Sequence, residues 1–454
     1  MNRLILLLAA IVLIPVANAA PARPPNIIII LADDMGYGDL GCYGAPTIRT
    51  PNLDRMAADG LRFTDFYSAA EVCTPSRAGL LTGRYPVRSG MVGARRVLFP
   101  DSTGGLPQEE ITIARALKQR GYATAHLGKW HLGIHPGGRP GDHGFDYSFG
   151  LPYSNDMDRR TDVPSSASGS SNPPADGWMV PVYRNGEIVE KPADQTTLTR
   201  RYTEEAVKFI REHRKTPFFL YFAHTFPHVP LFASPAFKGK SRRGIYGDTI
   251  EEIDWSVGQV MAALRAQGLE KNTLVFFTSD NGPWLIMKQQ GGSAGPLREG
   301  KGSTWEGGQR VPGIAWWPGR VAPGITGEPA SGMDLFATAL TLGGAPLPSD
   351  RVIDGRDISS LLFKRKTLPE HPYFFYRGGK LFACRLGQYK AHFFTQPSYG
   401  QPKAEAHEPP LLYDLGTDPG EQFDIAAAHP DVVEKIRAAV ADHQRAMVPG
   451  KEQL

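Results

Sequence analysis

Three cysteines in 454 residues are too few, and too odd a number, for a disulfide framework. The core must come from apolar burial, for which 41% hydrophobic content in a chain of this length is ample. No Asn-x-Ser/Thr acceptor with a permitted middle residue occurs, which argues against a route through the endoplasmic reticulum. Nor does one sign of charge dominate. Fifty Lys and Arg against 46 Asp and Glu leave +4, scattered and not striped, so the electrostatic footprint of a nucleic-acid binder is missing. The leader MNRLILLLAAIVLIPVANA joins basic Arg3 to an apolar run shorter than the ~20 residues of a membrane span and to a small-residue end at Ala17-Asn18-Ala19. It reads as a cleavable export signal over residues 1–19, and predicts a bacterial periplasmic or secreted protein with no stable membrane insertion.

Past the leader, Asn26 to Leu31 (NIIIIL) is a continuous β-branched run ending in Asp33-Asp34, the pattern of a strand buried on both faces. Apolar strands are also expected at Phe218 to Ala223 and Leu274 to Thr278. Helices are expected near Asn52 to Asp59, from Ile111 to Arg120, from Thr203 to His213 and from Thr249 to Gln267. This alternation predicts an α/β fold around a mostly parallel central sheet flanked by helices, over residues 20–345. The Ser/Gly/Pro-rich stretch Val163 to Pro174 reads as a surface insertion. Over residues 346–454, short strand candidates at Tyr373 to Tyr376, Leu381 to Leu386, Tyr389 to Phe394 and Leu411 to Leu415 precede a helix from Val432 to Arg445, which predicts a smaller antiparallel sheet-plus-helix domain.

Two distant strands end alike, one in Asp33 and Asp34, the other in Asp280 and Asn281. Ligands of an open parallel sheet gather outside the carboxyl ends of its strands, so these pairs can converge. Acidic residues at strand ends also cap helices, but three convergent carboxylates repel unless a cation lies between them. Four oxygen donors and no imidazole favour a hard cation, Ca²⁺ or Mg²⁺, over zinc.

In CTPSRAGLLTGR, Pro75 can open a helix that runs to Gly83, placing Cys73 at its N-terminus, where anionic groups are stabilised, and Arg77 on the same side four residues on. A buried cysteine can equally be a small hydrophobe. GKWHLG offers Lys129 and His131, which share a face if the chain there is extended. FAHTFPHVP offers His224 and His228 past a strand, and REGKGSTWEGGQRVP presents Lys301 in a glycine-bordered loop. An arginine, two lysines and one or two histidines around a dication suit a tetrahedral oxyanion.

These residues resemble the formylglycine-dependent (type I) sulfatase family, in which the cysteine of CTPSRAGLLTGR is converted to formylglycine. The likeness continues in order through LADDMGYGDLGCYG, GKWHLG, FFTSDNGP and GKGSTWEGGQRVP, while FTDFYSAAEVCTPSR, KAHFFTQ and AHEPPLLYDL fit its arylsulfatase A and N-acetylgalactosamine-6-sulfatase branch. The resemblance implies an alkaline-phosphatase-like fold and a sulfuric ester hydrolase. It makes Asp33, Asp34, Asp280 and Asn281, with the modified Cys73, ligands of Ca²⁺ or alternatively Mg²⁺. It has Arg77 and Lys129 hold the aldehyde hydrate, Lys129 and Lys301 neutralise sulfate oxygens, His131 assist sulfate release, and His228 bind substrate and assist the leaving oxygen. Ser154, in PYSND, would contact substrate. The implied partners are a sulfated small molecule, glycan or glycolipid as substrate, and a formylglycine-generating enzyme during maturation.

Two other readings stay open on the residues alone: a phosphodiesterase or phosphonate monoester hydrolase of the same superfamily, and a sulfated-glycan binding pseudoenzyme. The cysteine-rich tail and cysteine-bearing loop of the animal relatives are absent, so no disulfide pattern transfers to Cys42 and Cys384.

Overall fold

The computed structural model describes residues 23–160, 177–398 and 403–454; the expected export signal and the Val163 to Pro174 stretch lie outside them. Among the described residues eleven strands form a large sheet: β1 (Asn26–Ala32), β2 (Leu61–Tyr67), β3 (Ala123–Gly128), β4 (Tyr147–Gly150), β5 (Val182–Arg184), β6 (Glu187–Glu190), β7 (Phe218–Ala223), β8 (Thr273–Ser279), β9 (Arg310–Trp316), β10 (Gly324–Thr326) and β11 (Ala330–Ser331). Their order is β10-β2-β9-β8-β1-β7-β3-β4-β5-β6, with β11 beside β2. The centre, from β8 through β1, β7 and β3 to β4, is parallel, and antiparallel pairings with β9, β5 and β6 flank it.

The run in β1 shows why that centre forms. Ile28 and Ile30 enter the core on one face of the sheet, and Ile27, Ile29 and Leu31 enter the core on the other. Helices Pro51–Ala58, Leu198–Glu212 and Ile245–Ala266 cover the first face through residues such as Leu53, Tyr202 and Ile253. Helices Cys73–Thr82, Ile113–Lys118 and Asp334–Gly343 cover the second through Leu81, Ile113 and Phe336. The four helices expected from sequence are present with ends shifted by a few residues, as fraying termini allow.

A four-stranded antiparallel sheet follows: β12 (Tyr373–Arg377), β13 (Lys380–Leu386), β14 (Tyr389–Thr395) and β15 (Glu405–Asp414), in sequential order. Helix Pro430–Ala446 lays Val433, Ile436 and Val440 on it, and Tyr67 and Tyr85 of the larger unit complete the same apolar cluster. All three cysteines are free. Among the described residues no helix is long and apolar enough to cross a membrane.

Candidate active site

Strand register builds the acidic centre. Ala32 and Ser279 are partners in the adjacent parallel strands β1 and β8, so Asp33 and Asp280 leave the sheet side by side. Asp34, in the left-handed region at φ 66, receives a hydrogen bond from the Asn281 Nδ2 at 2.7 Å, and its own N–H donates to Asp280 Oδ1 at 3.1 Å. Two other oxygens of these residues, Asp33 Oδ1 and Asn281 Oδ1, are buried without a hydrogen-bond partner. Such groups are costly unless something absent from the protein chain satisfies them.

Cys73 opens the helix Cys73–Thr82, with Val72 as N-cap and Gly83 closing it in the left-handed conformation. Its Sγ and carboxylate oxygens of Asp33 and Asp280 lie within 4.8 Å of one another. Burial pushes the thiol pKa up, against the pull of Lys129 and Lys301, so an unmodified Cys73 is a poor nucleophile. One turn on, Arg77 is fully buried; its Nε donates to Asp280 Oδ2 at 2.9 Å and its Nη1 to the Lys129 carbonyl at 2.6 Å.

The same sheet edge delivers the remaining groups. Gly128 ends β3 opposite Ala223, the last residue of β7. Lys129 then places its ammonium 2.6 Å from Asp33 Oδ2 and 3.1 Å from Ser154 Oγ. Lys301 reaches Asp34 Oδ2 at 2.8 Å; burial lowers its pKa, but Asp34, Cys73 and Asp33 together outweigh burial and raise it. His228 Nδ1 donates to the Val229 carbonyl, which leaves Nε2 facing Ser154 Oγ at 3.3 Å and Asp34 Oδ2 at 3.6 Å.

His131 corrects one expectation. Lys129 and His131 do not share a strand face, because the strand stops at Gly128 (φ 103) and His131 itself has φ 60. Turning out of the sheet instead lets His131 Nε2 donate to the Leu98 carbonyl at 2.8 Å, leaving Nδ1 buried and unpartnered. Burial, then the Lys129 charge, holds the ring well below its usual pKa, so it is neutral with a lone pair on Nδ1. His224 is separate from this group: it sits in the core against Phe222, and burial lowers its pKa to about 3.

The electrostatics favour a cation. Three carboxylates (Asp33, Asp34, Asp280) face three cationic side chains (Arg77, Lys129, Lys301), all buried. Burial raises Asp33, but Lys129, His228 and Arg77 outweigh it and hold its pKa below the usual value. Asp280 is held above, by burial and then by Asp33 itself. A dication held by these residues would relieve that repulsion and would leave the site positive toward an anion.

Trp284 joins the site although no motif marks it. Its ring lies 4.4 Å from the Lys301 ammonium and 5.4 Å from the His228 ring, so it walls the site where those two side chains meet. Its position three residues after Asn281 in DNGPW was the available signal.

An acidic cation cage at the carboxyl edge of a parallel sheet, a helix-borne cysteine within it and cations around both define a metal-assisted hydrolase of oxyanion esters. The chain belongs to the sulfatase family: the sulfatase family model matches residues 25–345, and the model of the C-terminal region of aryl-sulfatase matches residues 368–454. It is 45% identical to arylsulfatase A of Homo sapiens, over 93% of this chain and 88% of that protein. It is 44% identical to N-acetylgalactosamine-6-sulfatase of Mus musculus, over 100% and 92%. Among solved structures, a sulfatase from Pseudoalteromonas sp. matches with a TM-score of 0.84 and 31% identity over 94% of this chain and 91% of that one. The phosphonate monoester hydrolase of Agrobacterium radiobacter shares the alkaline-phosphatase-like fold, with a TM-score of 0.64 and 19% identity over 93% and 96%. The protein is therefore a sulfuric ester hydrolase, and the phosphonate hydrolase reading keeps only a distant likeness of fold.

Proposed function

We propose that this sulfatase works through a formylglycine made from Cys73, with Ca²⁺, or Mg²⁺ as the other hard cation, held by Asp33, Asp34, Asp280 and Asn281. The observation that carries the reading is the clustering of Asp33, Asp280 and Cys73, with two buried oxygens, Asp33 Oδ1 and Asn281 Oδ1, left without a hydrogen-bond partner. When present, the hydrated aldehyde supplies a hydroxyl nucleophile and a second hydroxyl through which sulfate can depart, while the cation supplies charge stabilisation.

The chain's own residues then divide the work. Arg77, fixed by Asp280 and the Lys129 carbonyl, steadies residue 73 together with Lys129. The Lys129 and Lys301 ammoniums face the sulfate oxygens and neutralise them. His131 accepts a proton at Nδ1, the nitrogen its bond to Leu98 leaves open. His228, through Nε2, binds the substrate and protonates the departing alkoxide, with Ser154 Oγ within reach of both the Lys129 ammonium and this nitrogen. The substrate is a sulfate monoester of a small molecule, glycan or glycolipid. Maturation requires a formylglycine-generating enzyme, and the 1–19 leader directs the protein to the periplasm or medium.

Rates on an aryl sulfate, the matching phosphate mono- and diesters and a phosphonate monoester test this reading. A kcat/KM highest for the sulfate supports it; a preference for the phosphodiester or phosphonate overturns it.

A further inference from the structure

Lys301 lies on a loop that is held from two sides. From the large unit, the Pro283 carbonyl accepts the Lys301 N–H at 2.9 Å and the Glu71 carbonyl accepts the Gly302 N–H at 2.8 Å. The other side is held by the C-terminal sheet. Lys390 and His392 alternate on β14 and so face the same way. Lys390 Nζ donates to the Thr304 carbonyl at 2.8 Å and pairs with Glu306 Oε1 at 2.8 Å and Glu421 Oε1 at 3.1 Å. Glu421, after β15, accepts the Glu306 N–H at 2.6 Å and bonds His392 Nε2 at 2.7 Å. The Trp305 ring packs 4.3 Å from His392.

Glu306, Lys390, His392 and Glu421 are all 0% exposed. Fully buried charges are a costly way to stabilise a fold, since apolar side chains of similar volume do as well or better. What they add here is geometric: two backbone groups, three and five residues beyond Lys301, are fixed by side chains from the other unit.

We propose that Lys390 and Glu421 are positioning residues for Lys301, so that the C-terminal sheet completes the catalytic apparatus by setting where the Lys301 ammonium stands. The proposal rests on the sulfate-binding role proposed for Lys301. The loop is pinned at Lys301 and Gly302 by the large unit and at Thr304 and Glu306 by the small one. Tyr67 and Arg310 of the large unit also hold Glu306 Oε2, so loss of the second pair loosens the backbone between Gly302 and Glu306 without releasing the loop outright.

The test is a double-mutant cycle on the mature enzyme, combining Glu421→Gln with Lys301→Ala. It reads kcat/KM on an aryl sulfate and the inhibition constant of inorganic sulfate, at a temperature where thermal melts show every variant folded. Glu421→Gln is expected to lower kcat/KM roughly ten- to a hundredfold and to weaken sulfate inhibition in step when Lys301 is present. In the Lys301→Ala background it is expected to change either by less than about threefold, because the two act as one unit. Equal losses in both backgrounds, or wild-type values for Glu421→Gln, overturn the proposal. If Lys301→Ala is itself fully active, the role given to Lys301 falls first, and the positioning claim with it. Lys390→Gln, which keeps a donor for the Thr304 carbonyl, is read in the same cycle if Glu421→Gln does not fold.

Discussion

Asp33 and Asp280 stand side by side because their strands are in register one residue earlier, at Ala32 and Ser279, and burial together with this closeness holds the Asp280 carboxyl above its usual pKa. Neighbouring carboxylates that cannot both ionise comfortably, with two oxygens left bare, are a cation site in waiting. Removing divalent ions with a chelator is expected to abolish turnover and lower the melting temperature, and Ca²⁺ to restore both. A ligand at about 100 times its Kd adds roughly 2.7 kcal/mol to stability. Melting curves with and without chelator check this; an unchanged transition with full activity rejects the cage.

His228 faces the site through Nε2, and the role proposed for it at the leaving oxygen makes its importance depend on what leaves. His228→Gln is expected to cost roughly a hundredfold on a sulfated sugar, whose alkoxide needs a proton. On an aryl sulfate with an acidic phenol the loss should fall to about tenfold or less, since that oxygen departs unaided. A plot of kcat/KM against leaving-group pKa for both enzymes decides it, and identical slopes contradict the assignment.

Gly128 is the residue through which β3 hands the chain to Lys129. At φ 103 a side chain is disfavoured, and a Cβ there would lie 1.7 Å from the Ala223 carbonyl oxygen. Gly128→Ala is expected to destabilise the protein by at least ~2 kcal/mol and to lower activity beyond the loss of folded material, because the Lys129 backbone must move. Chemical denaturation beside kcat of the folded fraction separates the two effects.

The pH dependence of stability has an identifiable source in the core. Burial lowers His224 and His126 to about 3, against ~6.5 in an unfolded chain. With the folded pKa depressed, the unfolded state binds protons that the folded state refuses. The stability is complete above ~6.5 and is lost as pH falls toward ~3, at about 1.4 kcal/mol per pH unit for each histidine. His224→Phe, which keeps the ring against Phe222, is expected to flatten the slope between pH 6.5 and 5 by one proton. An unaltered slope in urea titrations contradicts this.

Much of the site was legible because it hangs on periodic elements. The β-branched run of β1 marks a strand buried on both faces, and residues just past the end of such a strand lie at the sheet edge, which made Asp33, Asp34, Asp280 and Asn281 readable. Helical spacing placed Arg77 beside Cys73 in the same way. Strand alternation does not reach His131, because positive-φ turns at Gly128 and at His131 itself orient the ring. Lys390 and Glu421 left no local trace. A lysine on a short strand and a glutamate in a turn look solvated until tertiary packing buries both against Glu306. Trp284 likewise acquires meaning only from the Lys301 ammonium and the His228 ring beside it, which come from distant segments.

The claim that residue 73 works as an aldehyde and not as a thiol can be met head on. Mass spectrometry of the peptide containing residue 73, taken on the same preparations whose aryl sulfatase rate is measured, relates modification to activity across samples matured to different extents. The account predicts a rate proportional to the fraction of formylglycine, with Cys73→Ala folded and inactive. Full turnover from protein whose residue 73 is entirely an unmodified cysteine would contradict it.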